Sequence, residues 1–343
     1  MTEIDGREFV VIGENVHATR VLLAKGSSVG VDPAGRQAIV FADADGRTRH
    51  LPIPEPEKEL QAYLEGRIKH VRIAVQVAMA EGADAEVALV YLRTIVQRQI
   101  DAGAHFLDVN VDEISPRPAE AIAAMRWLAA TVAGWTALPL GIDSSNLDII
   151  RAGFDAVAGL GPAPLLNSAS LERIEALDLA AAAGGPVIVT SAGETGMPRN
   201  AQERADNASR MVESALAKGI AIGDVYIDPL VFPISVDPTY GNDCLDAFRM
   251  LRTRFGPEIR LTGGLSNVSF GLPHRKLLND AFIVLAVEAG ADSGIVDPVS
   301  SSPASVFARD RESLPFRLAV DVLTGVDAGC KAYLKAFRAG ELG

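Results

Sequence analysis

The sequence is short of cysteine, histidine and basic charge. Its two cysteines, Cys244 and Cys330, stand far apart and form no metal-ligand spacing, so reduced thiols and a cytoplasmic protein are expected. Lysine and arginine number 32 against 44 acidic residues, a formal net charge of −12, which leaves no basic stripe for nucleic acid. No apolar run approaches the ~20 residues that cross a bilayer, so no membrane role is expected. The opening residues MTEIDGREF are charged and carry no apolar signal segment. No glycine-rich loop with a lysine is available to cradle phosphate, and no histidine pair has ligand spacing, so no metal site is expected. The carboxylates leave hard-cation binding as a lesser alternative.

What remains is a chain of 343 residues, 48% hydrophobic, long enough for one α/β barrel or two smaller domains. Phe9–Ile12 predicts a first buried strand ending in Gly13, Glu14 and Asn15. Residues 27–51 break the pattern: SSVGV, RQAIVF and RTRHL, separated by DPAG and DADG turns, predict a small β-meander inserted after that strand. Helical patterns then cover Glu57–Glu81 and Ala85–Ala102. Seven further apolar runs follow, each trailed by a helical pattern: HFLDVNV, LPLGID, PLLNSAS, PVIVTSA, DVYIDPL, Ile259–Thr262 and SGIVDP. Leu171–Ala183 is expected as a single helix. Eight strands alternating with helices predict a (β/α)8 TIM barrel, read as a single domain over 1–343 with the meander inserted.

The expected C-terminal ends of these strands are rich in Asp and Asn: Glu14 with Asn15, Asp108 with Asn110, Asp143, Asn167, Thr190 with Ser191, Asp228, Asn267 and Asp297. A barrel gathers such ends around one mouth, where its active site lies. Carboxylate acceptors with amide donors and acceptors suit a flat heterocycle bearing amino, imino and keto groups. Each residue has a local alternative. Asp108 and Asp143 are equally suited to cap the next helix, and Asp228-Pro229 to close a turn. Of the five histidines, His17 is expected just after the first strand, with facing the mouth the lesser of its alternatives. His274 opens a helix, and His50, His70 and His105 read as surface or core.

Seven stretches together carry a family resemblance: GENVHATR, FLDVNVDE, GIDSSN, LLNSAS, ETGMP, YIDPLVFP and GGLSNVSFGLPHR, in order from Gly13 to Arg275. With them the chain resembles the pterin-binding methyltransferases, namely the methyltetrahydrofolate–corrinoid protein methyltransferases and the folate module of cobalamin-dependent methionine synthase. Dihydropteroate synthases share the barrel and the polar ring but usually carry a Ser-Arg-Lys-type motif where this chain has Ser266-Asn267. A synthase-like enzyme and a non-catalytic folate-binding protein are the alternative readings.

The resemblance implies roles residue by residue. Asp143, Asn167 and Asp228 match residues that hydrogen-bond the pterin. Asn267 matches the residue that approaches N5, and Arg275 one near the p-aminobenzoate and glutamate part. Glu14, Asp108, Gly264 and Ser266 join the same substrate-binding set, and Phe270 is expected against the folate's aromatic tail. The implied substrate is tetrahydrofolate or 5-methyltetrahydrofolate. The implied corrinoid (cobalamin) rides on a partner protein, since no D-x-H-x-x-G cobalt-ligand motif is present. A homodimer is also expected.

Overall fold

The computed structural model describes residues 3–4 and 7–342. Eight strands form one sheet: Val10–His17, Phe106–Asn110, Leu140–Asp143, Leu165–Ala169, Val187–Thr190, Val225–Asp228, Arg260–Leu261 and Ser293–Val296. They neighbour one another in chain order, and the eighth pairs in parallel with the first, Ser293 opposite Val10 through Val296 opposite Gly13. A parallel bridge between Gly264 and Ile295 joins the seventh strand's end to the eighth. With helices between the strands, this is the expected (β/α)8 barrel. The strands read as continuous apolar runs because a parallel sheet under helices is covered on both faces. Val187–Thr190, for example, is buried at every position.

The chain divides into two compact units. The first contains Met1–Gly13, Ala102–His105 and Leu165–Gly343. Its helices include Ala201–Ala217, capped by the Asn200 side chain on Glu203 N, Tyr240–Phe255 and Arg275–Glu288. Here strands five and six align Thr190 with Asp228, so their polar ends lie level.

The second unit contains Glu14–Asp101 and Phe106–Pro164. Its helix Leu147–Val157 shows the local logic. Asn146 caps it by accepting from Asp148 N, and Ile149, Ile150, Phe154 and Val157 turn one apolar face inward. Burying each such side chain is worth roughly 1.5–3 kcal/mol. Gly153 lets this helix close on the third strand, since a Cβ there would stand 2.6 Å from Ile142. The register of strands two and three puts Asn110 opposite Asp143.

The inserted meander forms as expected from Val29–Val31, Gln37–Ala42 and Thr48–Pro52, antiparallel throughout. Its two turns are built alike from Asp-x-x-Gly-Arg. Asp32 accepts from the Ala34 and Arg36 amides, Asp43 from those of Asp45 and Arg47, and Gly35 and Gly46 take φ of 82° and 76°. The meander is anchored along helix Ala85–Asp101. Arg36 pairs with Asp84 at 2.9 Å, Phe41 meets Tyr91 edge-on at 4.8 Å, and Arg98 donates to the Ala42 carbonyl.

Three expectations needed correction. The first strand runs on through Gly13–His17, so Glu14, Asn15 and His17 are strand residues. Glu57–Glu81 is not one helix: Leu60 is extended, Gly66 is left-handed, and Arg67–Ile68 pairs with Leu22–Leu23 before helix His70–Met79 begins. Leu171–Ala183 is split likewise, Ser170 capping the short 3-10 turn Leu171–Arg173 ahead of helix Ala176–Ala183.

Candidate functional site

In the second unit, the ends of strands one to three assemble a hydrogen-bonded carboxylate cluster. His17 Nε2 lies 2.8 Å from Asp108 Oδ2 and 3.9 Å from Asp143 Oδ2. Asn110 Nδ2 donates to the same Asp143 oxygen at 2.9 Å, and its own carbonyl accepts from Asp112 N. Asp112 accepts in turn from the Ser144 hydroxyl and Ser145 amide. The side chains grade outward, from Asp108 at 0% exposed through His17 at 14% to Asp143 at 24%. Gly141, paired with Asp108, makes room for the cluster, since a Cβ there would stand 2.3 Å from Asp108 Oδ1. Glu14 is engaged by Arg20 at 3.1 Å.

Burial would lower the His17 pKa, but the hydrogen bond to Asp108 and the charges of Asp108, Asp143 and Glu14 outweigh it and raise it to about 9. Asp143 is pushed up to about 7, first by burial and then by the charge of Asp108, against the pull of His17 and Asn110. The His17, Asp108 and Asp143 donor atoms converge within 4.8 Å. Two of these atoms, His17 Nε2 and Asp108 Oδ2, are engaged with each other.

In the first unit, Asp228 ends the sixth strand. Its carboxylate accepts from Leu230 N at 2.7 Å, while burial pushes its pKa up to about 6. The loop after it is held by a fully buried arginine. Arg204 donates to the carbonyls of Pro229 and Leu230 and lies over the Phe232 ring at 4.5 Å. Asn167 is buried within the fourth strand, two residues short of its expected place at the end, while Thr190 is buried at the end of the fifth and Ser191 just after it.

Beyond the seventh strand, Leu265–Ser269 forms a single 3-10 turn. Arg275 pins it by donating to Ser269 Oγ and the Ser266 carbonyl, both at 2.9 Å, with its guanidinium 4.1 Å over the half-exposed Phe270 ring. Asn267 presents its side chain from this turn. Among the described residues that side chain makes no hydrogen bond, and it lies against Gly264, where a Cβ would stand 2.8 Å from Asn267 Nδ2.

Several local alternatives are thereby decided. Helices Pro118–Ala133 and Leu147–Val157 begin at Arg117 and Asn146, so neither Asp108 nor Asp143 caps them. Asp228 does close a turn, through Leu230 N. Asp297 also serves a local turn, accepting from the Val299 and Ser300 amides and the Ser300 hydroxyl. Sequence reasoning missed the bonding of His17 to Asp108 and the place of Arg204. Two segments far apart in the chain make the first, and a buried arginine in an amphipathic helix leaves no local mark. Two other histidines are structural. His70 is buried on the Tyr91 hydroxyl, burial driving its pKa down to about 3, and His105 Nδ1 accepts from Val11 N.

Comparison with known proteins adds a family. The family described as pterin binding enzyme matches residues 86–297. A methylcorrinoid:tetrahydrofolate methyltransferase from Eubacterium limosum is 30% identical over 74% of this chain and 89% of its own length. A methionine synthase from Mycobacterium leprae is 29% identical over 66% of this chain, which spans 20% of that longer protein. Among solved structures, a dihydropteroate synthase from Xanthomonas albilineans superposes with a TM-score of 0.53 at 20% identity, over 66% of this chain and 87% of that one. At that identity the likeness shows the fold.

Proposed function

The chain belongs to the pterin-binding enzymes, and from that premise we propose that it carries a methyl group from a corrinoid held by a separate protein to N5 of tetrahydrofolate. The relative named methylcorrinoid:tetrahydrofolate methyltransferase supports both the reaction and its direction. The observation that carries the reading is the unengaged amide of Asn267, held out on a turn that Arg275 fixes from behind.

Asp143 and Asp228 accept from the amino and imino groups of the pterin, and Asn167 completes its recognition. These are the acceptors and amides that a flat aminopyrimidinone edge requires. Glu14, Gly264 and Ser266 line the substrate's surroundings. Asp108, fully buried and bonded to His17, acts behind Asp143. Phe270 and Arg275 offer a stacked ring and guanidinium to the folate tail.

A corrinoid cobalt supplies the methyl carbon and keeps the electron pair of the broken cobalt–carbon bond. N5 attacks with its lone pair, acquires positive charge as the N–C bond forms, and then releases its proton to solvent. Asn267 Oδ1 accepts from the N5–H, an interaction that strengthens as the charge grows and so favours the transition state over the ground state. No helix among the described residues is long and apolar enough to cross a membrane.

The test has two parts. Calorimetry should detect tetrahydrofolate binding to the metal-free protein, and incubation with methylcobalamin should then yield 5-methyltetrahydrofolate. A folded protein that binds no folate would overturn the reading.

A further inference from the structure

Resting on the folate reading above, we propose that His17 is a positioning residue for the pterin: a cationic clamp that keeps the Asp143 carboxylate ionised and aimed at the substrate without touching it.

The argument begins with burial. Asp108 is fully enclosed and Asp143 is the outermost of the three, so a ligand reaches Asp143 first. Two carboxylates this close repel each other, and burial disfavours both anions. A cation between them relieves the repulsion. His17 occupies that place, hydrogen-bonded to Asp108 at 2.8 Å and 3.9 Å from Asp143. The charged groups acting on His17 come from the first three strands: Glu14 on its own, Asp108 on the second and Asp143 on the third. Asp112 adds further negative charge near Asp143, while Glu14 is paired with Arg20. Asn110 orients the Asp143 carboxylate but contributes no charge. His17 is therefore the cation that opposes proton uptake by Asp143. A protonated carboxyl would present a donor to the pterin's own donors and forfeit the contact.

The raised values agree with this geometry: His17 holds its proton to about 9, and Asp143 still sits at about 7 with His17 beside it. Removing an opposite charge at this distance raises a carboxyl pKa by about 1–3 units.

The experiment uses the full chain. The His17 imidazole is followed by NMR from pH 5 to 10 without folate, and tetrahydrofolate affinity is measured over the same range for wild type, His17→Gln, Asp143→Asn and the double variant. The imidazole should remain protonated beyond pH 8. Folate binding to His17→Gln should need a pH at least about one unit higher than wild type, with roughly tenfold weaker binding at pH 7. In the Asp143→Asn background, His17→Gln should change nothing further. An imidazole titrating near 6.5, an unmoved pH profile, or an undiminished loss in the Asp143→Asn background would each overturn the proposal. Absence of folate binding by wild type would refute the folate reading and the folate role of His17 with it, while a persistent imidazolium would still support the clamp on Asp143. The NMR result on wild type decides the charge state even where His17→Gln fails to fold.

Discussion

Replacing Asn267 by alanine should separate chemistry from binding. The Asn267 side chain makes no hydrogen bond among the described residues, so truncation orphans no partner inside the protein. The turn that carries it is held by backbone bonds, Asn267 N to Gly264 O and Phe270 N to Asn267 O, and by Arg275. None of these uses the lost amide. Stability should therefore stay within about 0.5 kcal/mol of wild type, the usual range for a substitution that breaks no buried contact. Loss of one polar partner to a developing charge costs about 2.7–4 kcal/mol, or ~10²–10³ in rate. The pterin contacts of Asp143, Asn167 and Asp228 remain, so folate affinity should fall much less than the rate. Single-turnover transfer with saturating folate and excess methylated corrinoid protein isolates the chemical step. A rate near wild type alongside collapsed folate affinity would refute the reasoning and make Asn267 a binding residue.

Other outcomes follow from the same geometry. Asp143→Ala or Asp228→Ala should each weaken folate binding by about 1–3 kcal/mol, roughly 5- to 150-fold, and calorimetry giving wild-type affinity for both would return them to local structural roles. Because burial raises Asp228 to about 6 and Asp143 to about 7, both carboxyls take up protons as pH falls, so folate affinity should drop on acidification through that window. Fold stability also depends on pH through His17. Its folded pKa of about 9 lies above the ordinary 6.5, so its contribution to stability is complete below 6.5 and is lost as pH rises through 9. Denaturant titrations of wild type from pH 6 to 10 should show that fall in stability, and a flat profile would contradict the pairing of His17 with Asp108.

The eight-strand alternation was legible because each strand is a short apolar run bounded by turn residues, and its polar end falls at a predictable place. The meander was legible because Asp-x-x-Gly-Arg is a turn whatever surrounds it. Continuous helical character over Glu57–Glu81 misled, because a left-handed Gly66 and pairing with Leu22–Leu23 are tertiary choices that override local preference. The same limit applies to the site. Asp143 and Asp228 stand out by residue type at strand ends, Asn167 within a strand and Asn267 in the turn beyond one. That His17 would bond Asp108, or that Arg204 would hold the carbonyls after Asp228, depends on segments brought together from far along the chain. His17 could be placed at the strand end but not given a partner, and Arg204 looked like any arginine on an amphipathic helix.

The central claim is methyl transfer to N5, and one measurement meets it directly. The protein is mixed with tetrahydrofolate and methylcobalamin, or a methylated corrinoid protein, and both products are quantified together. One 5-methyltetrahydrofolate should appear for each cobalt–methyl bond lost, at a rate that falls ~10²–10³-fold in Asn267→Ala. Saturable folate binding with no methyl movement from free or protein-bound corrinoid would contradict the account and leave a folate-binding protein in its place.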